Sequence, residues 1–465
     1  MISHLMAAST PPEPALRPLP PVTAKARLHL ARGSAASLLD TVQRHRYGAG
    51  RGEPPMSPAW WIRRPAGPFY LLLGCTAILL TLGLVMVLSA SSVTSFTTYG
   101  SAYAVLQKQT TWAAIGLPLA WVASRLPARI YRRAAYPILF AALLLLVLVQ
   151  IPGLGRQVNG NTNWLVLGPI TLQPSELAKL ALVVWGADLL ARKHARLTQW
   201  RHLVVPLVPV GLLLLMLVLV GGDLGTSIVL VAILGTILFT AGAPGRVFAA
   251  FGAVMLAGVV AMIALEPYRL ARVTALFNPG ADPAGAGYQG LHGRYALAGG
   301  GWWGVGLGAS REKWGFLPEA HTDFIFAVIG EELGLAGTLC VLGIFALLAY
   351  AGFRVAMDAT DLFIRLAAGA ATSWLTMQAL VNIGAVIGLV PITGIPLPLI
   401  SYGGSALVLD LITLGMLVSF ARTNLRAASR TRPPAWPHPN ERRARRGGQT
   451  IQQSTHRRDP EEGVH

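Results

Sequence analysis

Apolar residues in this chain come in long unbroken runs rather than in alternation, and the runs are separated by short polar or basic breaks. Runs near residues 69–89, 110–126, 134–151, 173–191, 203–220, 224–242, 246–265, 322–351, 366–390 and 402–421 each approach the ~17–25 residues a helix needs to cross a bilayer. The pattern predicts an all-α integral membrane protein of about ten transmembrane helices. Residues 1–65, rich in Pro, Ala and Arg without periodicity, read as a mostly disordered tail, and 423–465 as a second, basic one. Between them, 66–422 forms the membrane domain.

Composition agrees with the pattern. Hydrophobic residues make up 53% of the chain and charged residues 12%, about half the charge of an ordinary soluble domain. The net charge of +18 does not indicate nucleic acid, because the cations sit at the ends of apolar runs and in the tails. Alternate loops, "SRLPARIYRR", "ARKHARLTQWRH", "GAPGR" and "FRVAMDATDLFIR", are basic, which places them and both termini in the cytoplasm. The opposite loops are then external, including a large one, 266–321, between the seventh and eighth spans. The two cysteines, Cys75 and Cys340, lie inside apolar runs and define no disulfide framework. The first apolar run starts too far along the chain to be a secretory signal.

The large external loop holds "NPGADPAGAGYQ", a Pro/Gly turn with a single carboxylate, Asp282, and its flanks hold Arg269, Arg272, Arg294, Arg311 and Lys313. Taken alone, an Asp before Pro most often opens a turn, and exposed cations are solvated. Together they suit an anionic ligand: Arg contacts phosphate bidentately, Lys as a point charge. Glu176 and Lys179 lie three apart, so they share a helix face and can pair. Asp223 precedes "LGTS" and reads as a helix cap. Glu319, His321 and Asp323 stand just before a span, where acids favour the first turn and could equally line a cavity. Glu331 and Glu332 lie within a span, where a carboxylate is costly and faces the bundle or water. Lys108 and Gln109 open the second span near the outer face. No Walker loop, dinucleotide fingerprint or zinc spacing occurs.

The segments "NWLVLGPITLQPSELAK", "GGDLGTS", "DPAGAGYQ", "FLPEAHTDFIFAVIGEE" and "GIPLPLISYGGSAL", in this order, resemble the SEDS family of membrane glycosyltransferases, and its division branch more than its elongation branch. The resemblance runs from about Phe69 to Arg422. It implies polymerisation of lipid II, the undecaprenyl-pyrophosphate disaccharide-pentapeptide, into glycan strands at the division septum. It implies Asp282 as the catalytic acid–base residue and a class B penicillin-binding protein, a transpeptidase, as partner, with other division proteins meeting the tails. The candidate substrate contacts are Arg269, Arg272, Lys313, Lys108, Trp164, Glu319, His321, Asp323, Ser401 and Tyr402. The chemistry is consistent: an α-linked pyrophosphate donor giving a β-linked product needs one inverting displacement and one proton acceptor, whereas a glycosidase needs two carboxylates. The cofactor is left open. Pyrophosphate chemistry often recruits a divalent cation, and no acidic cluster specifies one. Two features depart from the family: "NGNTNW" lacks the usual cations before Trp164, leaving Arg156 as the nearby match, and Asp410 is unexpected in the last span. A lipid II flippase would favour repeated halves and midplane charges, and no clear internal repeat is present. A non-catalytic division scaffold is the third alternative.

Overall fold

The computed structural model describes residues 66–158, 161–168, 170–194, 200–253 and 287–431, with Leu276 and Gly285. Its helices are α1 (Gly67–Tyr99), α2 (Ala104–Arg125), α3 (Ala128–Leu148), α4 (Pro174–Arg192), α5 (Trp200–Val204), α6 (Leu207–Val220), α7 (Leu224–Thr240), α8 (Tyr288–Gly299), α9 (Ile325–Met357), α10 (Leu362–Val386) and α11 (Gly404–Thr431). Four stretches, Gly67–Tyr99, Ala128–Leu148, Ile325–Met357 and Gly404–Ser429, are long and apolar enough to cross a membrane, and α6 and α7 are shorter apolar helices. The chain is a multi-pass, mostly helical membrane protein. Helices fall on the predicted runs among the described residues. Of the 246–265 run, only the start is described, and 245–253 is helical.

The centre of the bundle is α4 with α10. From Pro174 to Leu190 almost every residue of α4 is buried, and α10 is buried for most of its length. A helix apolar all round must be enclosed by others, and α4 and α10 pack against each other and against α7. At the basic end of α4, buried Asp188 accepts from Arg132 Nε at 2.8 Å and Arg192 Nε at 2.6 Å.

Four features depart from the expected pattern. The connection between α3 and α4 is not irregular. Gly155–Val158, Asn161–Leu167 and Ile170–Leu172 form an antiparallel three-stranded sheet, β1-β2-β3. α1 continues ten residues past its apolar run, and buried Ser95 in this stretch donates to Ser101 O at 2.6 Å and accepts from Val105 N at 3.3 Å, tying it to the start of α2. α11 continues past residue 422, where Asn424 Nδ2 reaches the Val355 carbonyl at 2.9 Å.

The fourth is a break in α9. Gly334 adopts φ 68°, ψ −166°, which ends helical geometry there. In a continuous helix, Leu335 and Ala336 would donate to the carbonyls of Glu331 and Glu332. Instead the loop after α8 inserts. Val305 N donates to Glu331 O (2.9 Å) and Gly306 N to Glu332 O (3.0 Å), while Leu335 N donates to Gly301 O (2.9 Å) and Ala336 N to Trp302 O (3.2 Å). Two missing helical bonds are replaced by four with the loop, so each of the four backbone groups freed at the break has a partner. Glycine is required for this approach: a Cβ on Gly304 would overlap the Glu332 carbonyl.

Candidate active site

Three segments meet in a mouth at one end of the bundle: the start of α2, residues 319–324 before α9, and residues 395–403 before α11. Ser401 organises them. Its hydroxyl donates to Thr322 O at 2.6 Å and accepts from Leu397 N at 2.8 Å, and Tyr402 N donates to His321 O at 2.9 Å. From α2, Gln109 Nε2 donates to Ser401 O at 3.1 Å and its Oε1 accepts from Gly403 N at 3.3 Å. From α10, Asn382 Nδ2 donates to both Asp323 O and Ile395 O at 2.8 Å. The result is a mouth whose backbone is pinned by amide and hydroxyl side chains.

His321 and Tyr402 face each other there, ring centroids 5.7 Å apart. Burial holds the His321 imidazole below its ordinary pKa, opposed by the Glu319 carboxylate. Burial raises the Tyr402 phenol, opposed by the Lys108 ammonium. Both rings are therefore uncharged hydrogen-bonding groups near neutral pH. Lys108 is exposed, its Nζ 4.0 Å from the Tyr99 ring centroid. Glu319 is exposed too, at φ 53°, and accepts from the Thr322 hydroxyl at 2.7 Å. Among the described residues, the arrangement sets exposed Lys108 and the Glu319 carboxylate beside the neutral His321 and Tyr402 rings, a combination able to hold a phosphate and a sugar.

Directly inward lies a buried charged cluster. Lys179 Nζ reaches Glu176 Oε1 at 2.8 Å and Gln378 Oε1 at 2.6 Å, and sits 4.8 Å from the Trp374 ring centroid. Gln378 Nε2 continues to Pro396 O at 3.0 Å, tying the cluster to the mouth. Asp410, which the sequence left without a partner, interacts with Lys179 and Glu176 and accepts from the Leu399 amide. Leu399 is held at φ 65°. Glu176 Oε2 and Asp410 Oδ1 are buried without hydrogen-bond partners among the described residues.

A second buried network lies under the inserted loop. Lys313, on the 3-10 turn Glu312–Trp314, donates to Gly308 O at 2.6 Å and pairs with Glu332 Oε1 at 3.3 Å. Ser89 of α1 donates to Glu332 at 2.6 Å, and Ser310 Oγ to Glu331 Oε2 at 2.5 Å. Glu331 and Glu332 thus serve an internal hydrogen-bonded network, in which Lys313, 4% exposed, pairs with Glu332.

The structure therefore brings together Lys108, Glu319, His321, Asp323, Ser401 and Tyr402. It places Lys313 in the separate buried network and Trp164 in the sheet, opposite Arg156. Asp282, Arg269 and Arg272 lie outside the described residues. Asp223 caps α7 as its position suggested, accepting from Thr226 N at 2.9 Å, and also holds Gln173 and Ser175 at 3.1 Å. Sequence reasoning passed over Gln378 and Asn382. Their signal was two amides four apart in an apolar helix, hence on one face. Ser89 carried no signal of its own. Among the described residues, no three His, Cys, Asp or Glu side chains stand together to hold a metal.

Residues 70–425 match the family model described as cell cycle protein, FtsW/RodA/SpoVE. The chain belongs to this family. Within it, the chain is similar to the probable peptidoglycan glycosyltransferase FtsW of Mycobacterium tuberculosis, 42% identical over 80% of this chain and 71% of that protein. It is also similar to stage V sporulation protein E of Bacillus subtilis, 37% identical over 77% of this chain and 98% of that protein. Among solved structures, one described as "Structural coordination of polymerization and crosslinking by a peptidoglycan synthase complex" superposes with TM-score 0.63 at 30% identity, over 76% of this chain and 98% of the other. The rod shape determining protein RodA of Thermus thermophilus gives TM-score 0.56 at 30% identity, over 76% and 96%.

Proposed function

We propose that this FtsW/RodA/SpoVE-family chain polymerises lipid II on the outer face of the membrane, with Asp282 as general base. The enzyme is a peptidoglycan glycosyltransferase. The observation that carries the substrate reading is the external mouth, where exposed Lys108 stands beside neutral His321 and Tyr402 on a backbone fixed by Ser401 and Gln109. A lipid-linked pyrophosphate needs a cation at the membrane edge, and its sugar needs uncharged hydrogen-bonding groups.

In the proposed step, Asp282 takes the proton of the acceptor hydroxyl. The hydroxyl oxygen bonds to the anomeric carbon of the donor sugar, and the carbon–oxygen bond to pyrophosphate breaks, its electrons leaving with the phosphate. The configuration inverts from α to β. Arg269, Arg272 and Lys108 are assigned to the developing phosphate charge. Glu319, Asp323 and Ser401 shape the mouth, while Trp164 lies in the sheet opposite Arg156. Lys313, engaged with Glu332, contributes by holding the loop in place.

A class B transpeptidase is the proposed partner, which the peptidoglycan synthase complex among the structural neighbours supports, and the division septum is the proposed location. The test is lipid II polymerisation by the purified chain, with and without the transpeptidase. Asp282→Asn keeps size but cannot accept the proton, so the rate should fall by ~10²–10⁴-fold with lipid II binding retained. A near-parental rate would remove Asp282 from the mechanism. A flippase or scaffold needs no proton acceptor there.

A further inference from the structure

Between Glu332 and Arg354, α9 carries no charged residue over the 21 positions 333–353. At ~1.5 Å per residue they span about 30 Å, the hydrocarbon thickness of a bilayer. Glu332 and Gly334 therefore lie at one edge of the bilayer, and the part of α9 before them projects beyond it. The inserted loop is pinned at that level, because its four backbone bonds go to residues 331, 332, 335 and 336 of α9.

Its side chains are unusual for a surface loop. Residues 299–309 read "GGGWWGVGLGA", without one charged side chain. Trp302 is 72% exposed, Trp303 83% and Leu307 60%. The loop cannot fold these groups away, since Gly304 is locked against the Glu332 carbonyl. Beside it on α9, Leu335 and Leu339 are also exposed, so the patch continues into a face that lipid must cover. Indole rings favour the membrane–water interface, with an apolar body and one polar N–H.

We infer that residues 301–307 are an interfacial anchor, with Trp302 and Trp303 seated in the headgroup–acyl boundary of the outer leaflet. The loop leads back through α8 toward the Asp282 turn and forward through residues 309–324 to His321. Seating it in lipid fixes the height of His321 above the bilayer, where the phosphates of a lipid-linked substrate lie. This last consequence rests on the proposed lipid II reading, but the depth of the loop does not.

The test is a depth measurement in the full-length chain. Cys75 and Cys340 are replaced, and a nitroxide is attached at Trp303→Cys or, separately, Leu307→Cys, with exposed Pro318→Cys as a control. The probe is a vesicle of phosphatidylethanolamine and phosphatidylglycerol. Power saturation compares collision with oxygen, which concentrates in lipid, and with a water-soluble nickel chelate. Positions 303 and 307 should favour oxygen, ~5–10 Å below the phosphates, and position 318 should favour nickel. Nickel access at 303 and 307 equal to that at 318 would overturn the anchor. So would protection from both reagents, which would mean protein covers the loop. No substrate turnover enters the measurement, so a failed polymerisation assay leaves it intact.

Discussion

Replacing Lys179 by methionine tests the buried cluster beneath the mouth. Lys179 and Glu176 are 0% exposed and 2.8 Å apart. At an effective dielectric near ~20, their gross attraction is ~6 kcal/mol, much of it offset by the cost of burying two ions. Removing the lysine strips the ion-pair partner of Glu176 and the attraction felt by Asp410. Each of these carboxylates already has one buried oxygen without a partner among the described residues. Loss of one partner of such a pair costs about 3–5 kcal/mol. Adding Glu176→Gln to Lys179→Met removes the stranded charge, so the double variant should recover part of that loss. The expected coupling is ~1–3 kcal/mol, and Asp410→Asn should add further recovery. Reversible unfolding in mixed micelles at fixed pH measures each variant. If the two single costs add to the double within ~0.5 kcal/mol, or if Lys179→Met costs under ~1 kcal/mol, the ion pair is not what holds these helices together.

Gly304→Ala forces a left-handed alanine against the Glu332 carbonyl. It should cost ~1–2 kcal/mol of backbone strain and up to ~3 kcal/mol for two lost loop bonds, read by thermal unfolding. Gly306→Ala, left-handed but with open space around it, should show only the strain. Because burial depresses the His321 pKa, the unfolded state takes up that proton first. The associated stability is full above ~6.5, the ordinary imidazole value, and is lost as pH falls below it. His321→Gln should flatten this part of the Tm profile between pH 7.5 and 5.5, and an unchanged profile would place the titration elsewhere. Under the proposed topology, Ala284→Cys, with Cys75 and Cys340 replaced, should react with an impermeant thiol reagent in intact cells, and labelling only after lysis would reverse the orientation.

What the sequence determined about this protein was short-range. Unbroken apolar runs have only one solution in lipid, a helix that satisfies its own backbone, so the multi-pass bundle was legible at once. The Glu176–Lys179 pair followed from three-residue spacing on a helix, and the Asp223 cap from a carboxylate just ahead of a helix start. The "LPLISYGG" and "PEAHTDF" motifs marked segments that meet, but their spacing could not say that Ser401 joins Thr322. Tertiary structure alone decided the long-range pairings. Asp410 finds Lys179 and Glu176 across the bundle, Ser89 finds Glu332, and the Gly-rich loop replaces hydrogen bonds that Gly334 removes from α9. The neutral Asn161–Trp164 stretch lies in a strand because β1 pairs with it along one edge. The physical reason is the same throughout. Burial in lipid is set by each run's own composition, whereas a buried polar group is stable only beside its complement, and the folded chain alone sets which residues become neighbours.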